Sequence, residues 1–272
     1  MGKNILVEDH DLSIDKEENI SISTNNSNFL ELPSQGKCGY DSKVEYRDML
    51  VQDEERLAST TPDMYATTLN SVIKSVLMDN KQFENFTVAD RDYALVWIWA
   101  NNYTPTKKVG ITCANQKCKH EFESVVDLTK LEVTYPKENF VREMKLPINK
   151  TKGHVTVRLN KVRDEIQVEE YMKKHPDASY DYLMLIASID IGAPLPFDKK
   201  VDWVRNNVST VELGRVKQYH KYFAYGLPTI VEHTCPKCKE VTKSVIPFQG
   251  SDILFPQLSG DFEQFLQSNQ DS

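Results

Sequence analysis

The sequence predicts an α+β fold: a helical body that carries two cysteine-bearing β-hairpins, with an α+β segment inserted between them. Three observations lead there. Two short cysteine pairs, Cys113-x4-Cys118 and Cys235-x2-Cys238, each lie between β-rich runs, Lys108-Val-Gly-Ile-Thr112 with Phe122-Glu-Ser-Val-Val126, and Ile230-Val-Glu-His-Thr234 with Val241-Thr-Lys-Ser-Val-Ile246. Ahead of them, apolar side chains recur every three or four residues, the spacing of a helix that packs one face inward. Between them, strand-like alternation gives way to helix-start signals.

The elements follow in chain order. Residues 1–45 are rich in Asn, Ser, Asp and Glu and have no helical period, so they are expected to form an extended or disordered arm. Ile20-Ser-Ile-Ser and Asn28-Phe-Leu-Glu-Leu-Pro33 stand out in it as short adhesive segments. The body is expected over 46–258. From 46 to 84 the pattern is helical, with Met64, Leu69, Val72, Ile73, Val76 and Leu77 largely on one face. Thr87 is placed to cap a second helix, from 88 to about 101, whose Tyr93, Val96, Trp97 and Trp99 suit a core element; Pro105 prevents its continuation.

The hairpins are placed at 107–127 and 229–247 and the insert at 128–228. Within the insert, 140–147 and 154–159 alternate like strands joined by a turn at 150–153, and 164–175 and 180–191 look helical before Pro194-Leu-Pro196 interrupts. Ser209-Thr-Val-Glu212 is a capping box that opens a last helix with Val211, Leu213, Val216, Tyr219, His220 and Phe223 inward. Gly226 ends it and Pro228 follows; His220 is expected as a packed core histidine. Residues 259–272 are assigned to a C-terminal tail. The apolar residues near each end suggest two adhesive extensions from a rigid body.

Four thiols in two hairpin turns are the donor set of a closed tetrahedral zinc site, in which backbone N–H groups of the turns offset thiolate charge. Cys113, Cys118, Cys235 and Cys238 are therefore the expected ligands of one structural Zn2+, and the hairpins would form a split zinc ribbon. A disulfide framework competes poorly, because residues 1–8 contain no apolar leader and five cysteines leave one over. A redox Cys-x-x-Cys wants a helix after it, whereas Lys239 onward has a strand pattern. His120 and His233 flank the thiols as surface or supporting groups, and Cys38, in Gly36-Lys-Cys-Gly39, is expected neither to bind the metal nor to pair.

A net charge of −7 argues against nucleic acid as a partner of the whole chain. Lys107, Lys108, Lys117, Lys119, Lys237, Lys239 and Lys243 nonetheless make the hairpin end locally basic, which leaves a zinc-ribbon nucleic-acid module as the alternative reading. No apolar run approaches a membrane span, and the chain is expected to be soluble and intracellular when made. No phosphate loop, Gly-x-Ser-x-Gly or His-Glu-x-x-His is present, the Asp90/Asp92 and Glu54/Glu55 pairs look like solvated helix faces, and four thiolates leave a zinc ion no open position; no enzyme is expected.

The order of Asp92-Tyr-Ala-Leu-Val-Trp-Ile-Trp, a cysteine hairpin running into Val-Val-Asp-Leu128, a middle insert, and Thr-Cys-Pro-Lys-Cys leading to Val-Ile-Pro-Phe and Ile-Leu-Phe-Pro256 resembles the baseplate hub and hub-assembly proteins of T-even-type contractile-tailed bacteriophages. The resemblance covers about residues 45 to 258. It implies a virion or tail-assembly protein that acts near the hub, with hub, tube-start and tape-measure proteins as partners, in the tail baseplate or in the host cytoplasm during assembly.

Overall fold

The computed structural model describes residues 28–61, 64–78, 81–102, 105–228 and 230–245. The Ile20-Ser-Ile-Ser segment, the aromatic stretch up to Pro256 and the tail over 259–272 lie outside them.

The described chain begins inside the core. β1 (Asn28–Glu31) pairs antiparallel with β2 (Lys43–Tyr46), placing Leu30 opposite Val44. Leu30, Leu32, Cys38, Tyr40, Val44 and Tyr46 are all buried. Residues 28–45 are thus part of the body and not of an arm. Four-residue strands offer too few inward positions to show a period, and the polar turn between them is ordered by distant partners. Asp90 Oδ1 accepts from the Ser34 N–H at 3.0 Å, and Oδ2 accepts from the Tyr40 and Tyr225 hydroxyls. The Thr87 N–H donates to the Tyr40 oxygen at 2.9 Å, while Thr87 Oγ1 meets the Tyr225 hydroxyl at 2.6 Å.

Asp90 is therefore not on a solvated face; it is wholly buried. Burial raises its pKa against the opposing pull of the Tyr40, Ser34 and Tyr225 donors. Asp90→Ala would leave three buried donors without their acceptor. It should cost about 2–4 kcal/mol, read from urea unfolding, whereas Glu55→Ala on exposed α1 should cost under about 0.5 kcal/mol.

The helical stretch after β2 is two helices, α1 (Val51–Ala58) and α2 (Tyr65–Val76). Asp53 sets the start of α1: its carboxylate accepts the Leu50 N–H at 2.9 Å and Arg47 at 2.7 Å. Leu69, Val72, Ile73 and Val76 form the buried stripe of α2. They pack on α3 (Val88–Asn102), which Thr87 caps by accepting the Asp90 N–H at 3.2 Å. Ala94, Leu95, Ile98 and Trp99 point inward from α3, while Trp97 is partly exposed and donates to the Tyr46 hydroxyl.

Two antiparallel hairpins extend this first core: β3 (Thr106–Thr112) with β4 (Glu121–Asp127), and β8 (Ile230–Thr234) with β9 (Val241–Val245). Between them the chain builds a second core. β5 (Glu143–Ile148), β6 (Gly153–Arg158) and β7 (Ile189–Asp190) form one sheet in that order, covered by α4 (Val162–Lys174), α5 (Tyr180–Ala187), α6 (Phe197–Asn207) and α7 (Thr210–Phe223). Leu146, Ile148, Val155 and Val157 supply the sheet's buried face, and Val201, Val204, Val216 and Tyr219 close over it. The Pro194-Leu-Pro196 interruption is present; the helix before it ends at Ala187, short of the expected 191, and the chain after it enters α6, a helix not anticipated in the sequence, where Pro196 stands as N-cap and loses no helix hydrogen bond.

The capping box of α7 is present, with Ser209 Oγ accepting from the Glu212 N–H and Glu212 returning to the Ser209 N–H at 2.7 Å. Val211, expected inward, is 68 % exposed, while its neighbour Glu212 is 2 % exposed, so the first turn of α7 directs the capping carboxylate inward and Val211 outward. Helix α7 stops at Phe223, before Gly226, where Ala224 turns extended. Gly226 serves a different contact: it exchanges two backbone hydrogen bonds with Thr134 at a φ of 105°, and a Cβ there would lie 3.1 Å from that of Ala89.

Helix α4 joins the two cores. Val162 lies in the first and Val168 and Tyr171 in the second, and the buried Glu165 pairs with Arg91 of α3 at 2.9 Å. His220, partly buried, has no hydrogen-bond partner for Nε2 among the described residues, and desolvation lowers its pKa to about 4, with Arg158 adding repulsion and Asp164 opposing it. A pKa below that of the unfolded chain means stability is full above pH 6.5 and falls as the pH drops from 6.5 towards 4. His220→Phe should remove about 2–3 kcal/mol of that acid loss, visible as a flatter plot of urea midpoint against pH than in the parent.

Candidate metal centre

Both hairpins end in the same way. The Cys113 N–H donates to the His120 carbonyl at 2.9 Å, and the Cys235 N–H to the Glu240 carbonyl at 2.9 Å, so each first cysteine closes its ladder. Each second cysteine is followed by a lysine in the left-handed region, Lys119 at φ 42° and Lys239 at φ 64°, which turns the chain back beneath the thiol. The N–H of Lys119 donates to Asn115 O and that of Lys239 to Cys235 O, so Asn115 occupies the turn position that Cys235 holds in the second hairpin. The longer Cys-x4-Cys spacing is thus the same knuckle with two residues added between the first cysteine and the turn.

The knuckles face each other. The Ala114 N–H donates to Thr242 Oγ1 at 3.0 Å, and His233 bridges Ser124 Oγ and Ser244 Oγ, each at 2.8 Å. Cys113 Sγ lies 3.5 Å from Cys238 Sγ, Cys118 Sγ lies 4.0 Å from Cys235 Sγ, and the four sulfurs are all within 4.8 Å of one another. A tetrahedral ion with metal–sulfur bonds of ~2.3 Å requires sulfur separations of about 3.8 Å. A disulfide requires about 2.05 Å, and all four thiols are free. The arrangement can hold a metal ion.

Backbone N–H groups of Asn115, His120, and Lys237 with Cys238 are aimed at the sulfurs of Cys113, Cys118 and Cys235 respectively. Burial pushes the Cys113 thiol up to about 12. Burial also acts to raise Cys235, but the two N–H donors together with the Cys238 and Cys113 thiols outweigh it and bring that thiol down to about 7. Cys235 is wholly buried among its partners.

The neighbouring residues divide. His233 is 3 % exposed and spends both ring nitrogens on serines, so it braces the two hairpins and is no surface group. His120 stacks on Phe122. Lys108, Lys117, Lys119, Lys237, Lys239 and Lys243 are exposed around the knuckles, but Lys107 is buried with its ammonium 5.8 Å from the Trp99 ring.

Cys38 lies apart from the cluster, yet it is not in a loose tail: it is 6 % exposed and 3.3 Å from the Tyr225 hydroxyl. Its burial had no local signal, since Gly36 and Gly39 flank it and its partner is far along the chain. Cys38→Ser should leave the metal content of the purified protein unchanged while lowering stability by about 1–2 kcal/mol, because a more polar group enters a desolvated site.

A family described as T4 bacteriophage base plate protein matches residues 24–255 of the chain. The chain belongs to this family. It is a phage base plate protein, in a family that is typically non-enzymatic. The match begins just before β1 and takes in both cysteine hairpins. No curated protein and no solved structure gives a significant match. Among the described residues, no helix is long and apolar enough to cross a membrane.

Proposed function

We propose that this base plate protein works by protein–protein contact near the central hub of the contractile tail, as a rigid body whose two hairpins are locked by a structural zinc ion on Cys113, Cys118, Cys235 and Cys238. The observation that carries the reading is the convergence of four free thiols from two distant hairpins to within 4.8 Å. Soft thiolates in a tetrahedral set select zinc over hard cations, and four protein ligands leave no site for an activated water. The metal's part is then mechanical. A rigid, stapled body suits a machine that must keep subunits in register while its sheath contracts.

The hub position rests on the resemblance carried by the cysteine knuckles and the aromatic segments that follow them. Hub, tube-start and tape-measure proteins are the expected neighbours. A mass-spectrometric inventory of purified virions and of purified baseplate intermediates is the test. Fixed copy number in the finished particle marks a structural subunit, and presence only in intermediates marks an assembly factor. Absence from both, with normal particles formed when the gene is deleted, would remove the proposal.

A further inference from the structure

A groove of about 940 Å3 runs between strand β5 and helix α7, on the side of the molecule built by the second core. Its rim carries Lys137, Lys145, Arg215 and Lys221, and no carboxylate is among the described residues that line it. None of the four cations takes part in an ion pair among the described residues. In a chain of net charge −7 this is a concentrated patch of the opposite sign. The floor is apolar and aromatic: Met144 and Phe223 are partly buried, and Tyr222, 49 % exposed, lies beneath the Lys137 ammonium at 3.9 Å.

The groove also has unused backbone. β5 is the edge of its sheet. The Arg158 N–H donates to Ser188 O on the β7 side, so its register partner Glu143, and by alternation Lys145, turn their N–H and C=O towards the free edge. Pro147 falls on the same parity and takes no bond from the ladder. An extended segment could bond to this edge while its side chains meet the floor and the rim.

We propose that the groove is the docking site of the chain's own C-terminal segment, residues 252–272, from the same copy or a neighbouring one. The argument is complementarity and reach. From 246 to 272 the sequence contains Asp252, Asp261, Glu263 and Asp271 and no lysine, arginine or histidine, and it interleaves Phe255, Phe262 and Phe265 with these carboxylates. Aromatic rings match the floor and carboxylates match the rim. The described chain ends at Val245, which β-pairing places opposite Ile230, seven positions beyond Phe223 at the groove. Seven residues span at most ~25 Å and paired strands lie ~5 Å apart, so Val245 is within ~30 Å of Phe223, and residues 246–251 add ~20 Å of tether ahead of the segment. Tethering raises the local concentration of the segment to roughly the millimolar range, where weak contacts are filled.

The test uses the full chain with a photo-crosslinking benzoylphenylalanine at position 222, and at position 218 as a second site. Irradiated protein is digested and the crosslinks are mapped by mass spectrometry. Crosslinks concentrated in 246–272 are expected, with the single-chain or double-chain band telling whether the segment comes from the same copy. Asp261→Lys with Glu263→Lys should lower their yield by roughly tenfold, as should raised salt, and adding Arg215→Glu with Lys221→Glu should restore it. Crosslinks that fall only within 28–245, or a yield indifferent to charge reversal, would overturn the proposal. So would retention of a fluorescein-labelled oligo-dT by the parent and its loss in Arg215→Glu/Lys221→Glu without any crosslink to the segment, which would make the groove a nucleic-acid site.

Discussion

Cys113→Ser and Cys238→Ser should each strip the purified protein of its zinc and lower its stability by several kcal/mol, the scale of a lost structural site. The two hairpins share no continuous sheet; β3–β4 and β8–β9 are separate two-stranded pairs. Apart from the sulfurs, the side-chain hydrogen bonds that join them among the described residues are Ala114–Thr242 and His233–Ser124. Those contacts contribute about 1 kcal/mol each. A metal on all four thiols closes the long loop between Cys118 and Cys235, and its binding free energy adds directly to folding. Elemental analysis gives the zinc content and thermal melting with and without a chelator gives the stability. Protein prepared with no bound zinc, or a Cys238→Ser variant that melts with the parent, would contradict the assignment.

Removing residues 1–40 should abolish folding of the body, whereas removing residues 1–27 should leave a cooperative, metal-loaded protein. The difference lies in 28–40. Leu30, Leu32, Cys38 and Tyr40 are each no more than 6 % exposed. Loss of a buried leucine to alanine alone costs about 2–5 kcal/mol, and whole domains are stable by only about 5–15 kcal/mol. The longer deletion also strips β2 of its β1 partner and Asp90 of Ser34 and Tyr40. Circular dichroism melts of the two truncations decide the matter. A folded 41–272 fragment would mean that the N-terminal hairpin is an accessory to the core. If the 1–27 deletion folds but fails to enter baseplates, the arm proper is a contact with neighbouring subunits.

The parts of this fold that were legible in the sequence are those whose signals are local. The cysteine hairpins announced themselves through alternation on both sides of each pair, and α7 through the Ser209–Glu212 box. The assembly of four thiols followed from matched contexts alone. Residues 28–45 were not legible because their burial depends on Asp90 and Tyr225, which lie far along the chain and carry no mark of the partnership. Asp90 and Lys107 misled for the same reason: a charged side chain is expected in water unless its partners are known, and here they come from other elements. Helix α6 was hidden by Pro196, which breaks a helix from within but suits the position just before its first turn.

The hydroxyl of Tyr225 has a consequence for how the chain is made. Tyr40, Thr87 and Asp90 leave the ribosome early, yet the cluster they form is completed only by Tyr225, and Cys113 and Cys118 must likewise wait for Cys235 and Cys238. Domains ordinarily fold from the N-terminus as they emerge. Here the first core stays open at two points until nearly all of the described sequence has been synthesised. A nascent or prematurely terminated chain therefore presents neither a finished body nor a complete metal set.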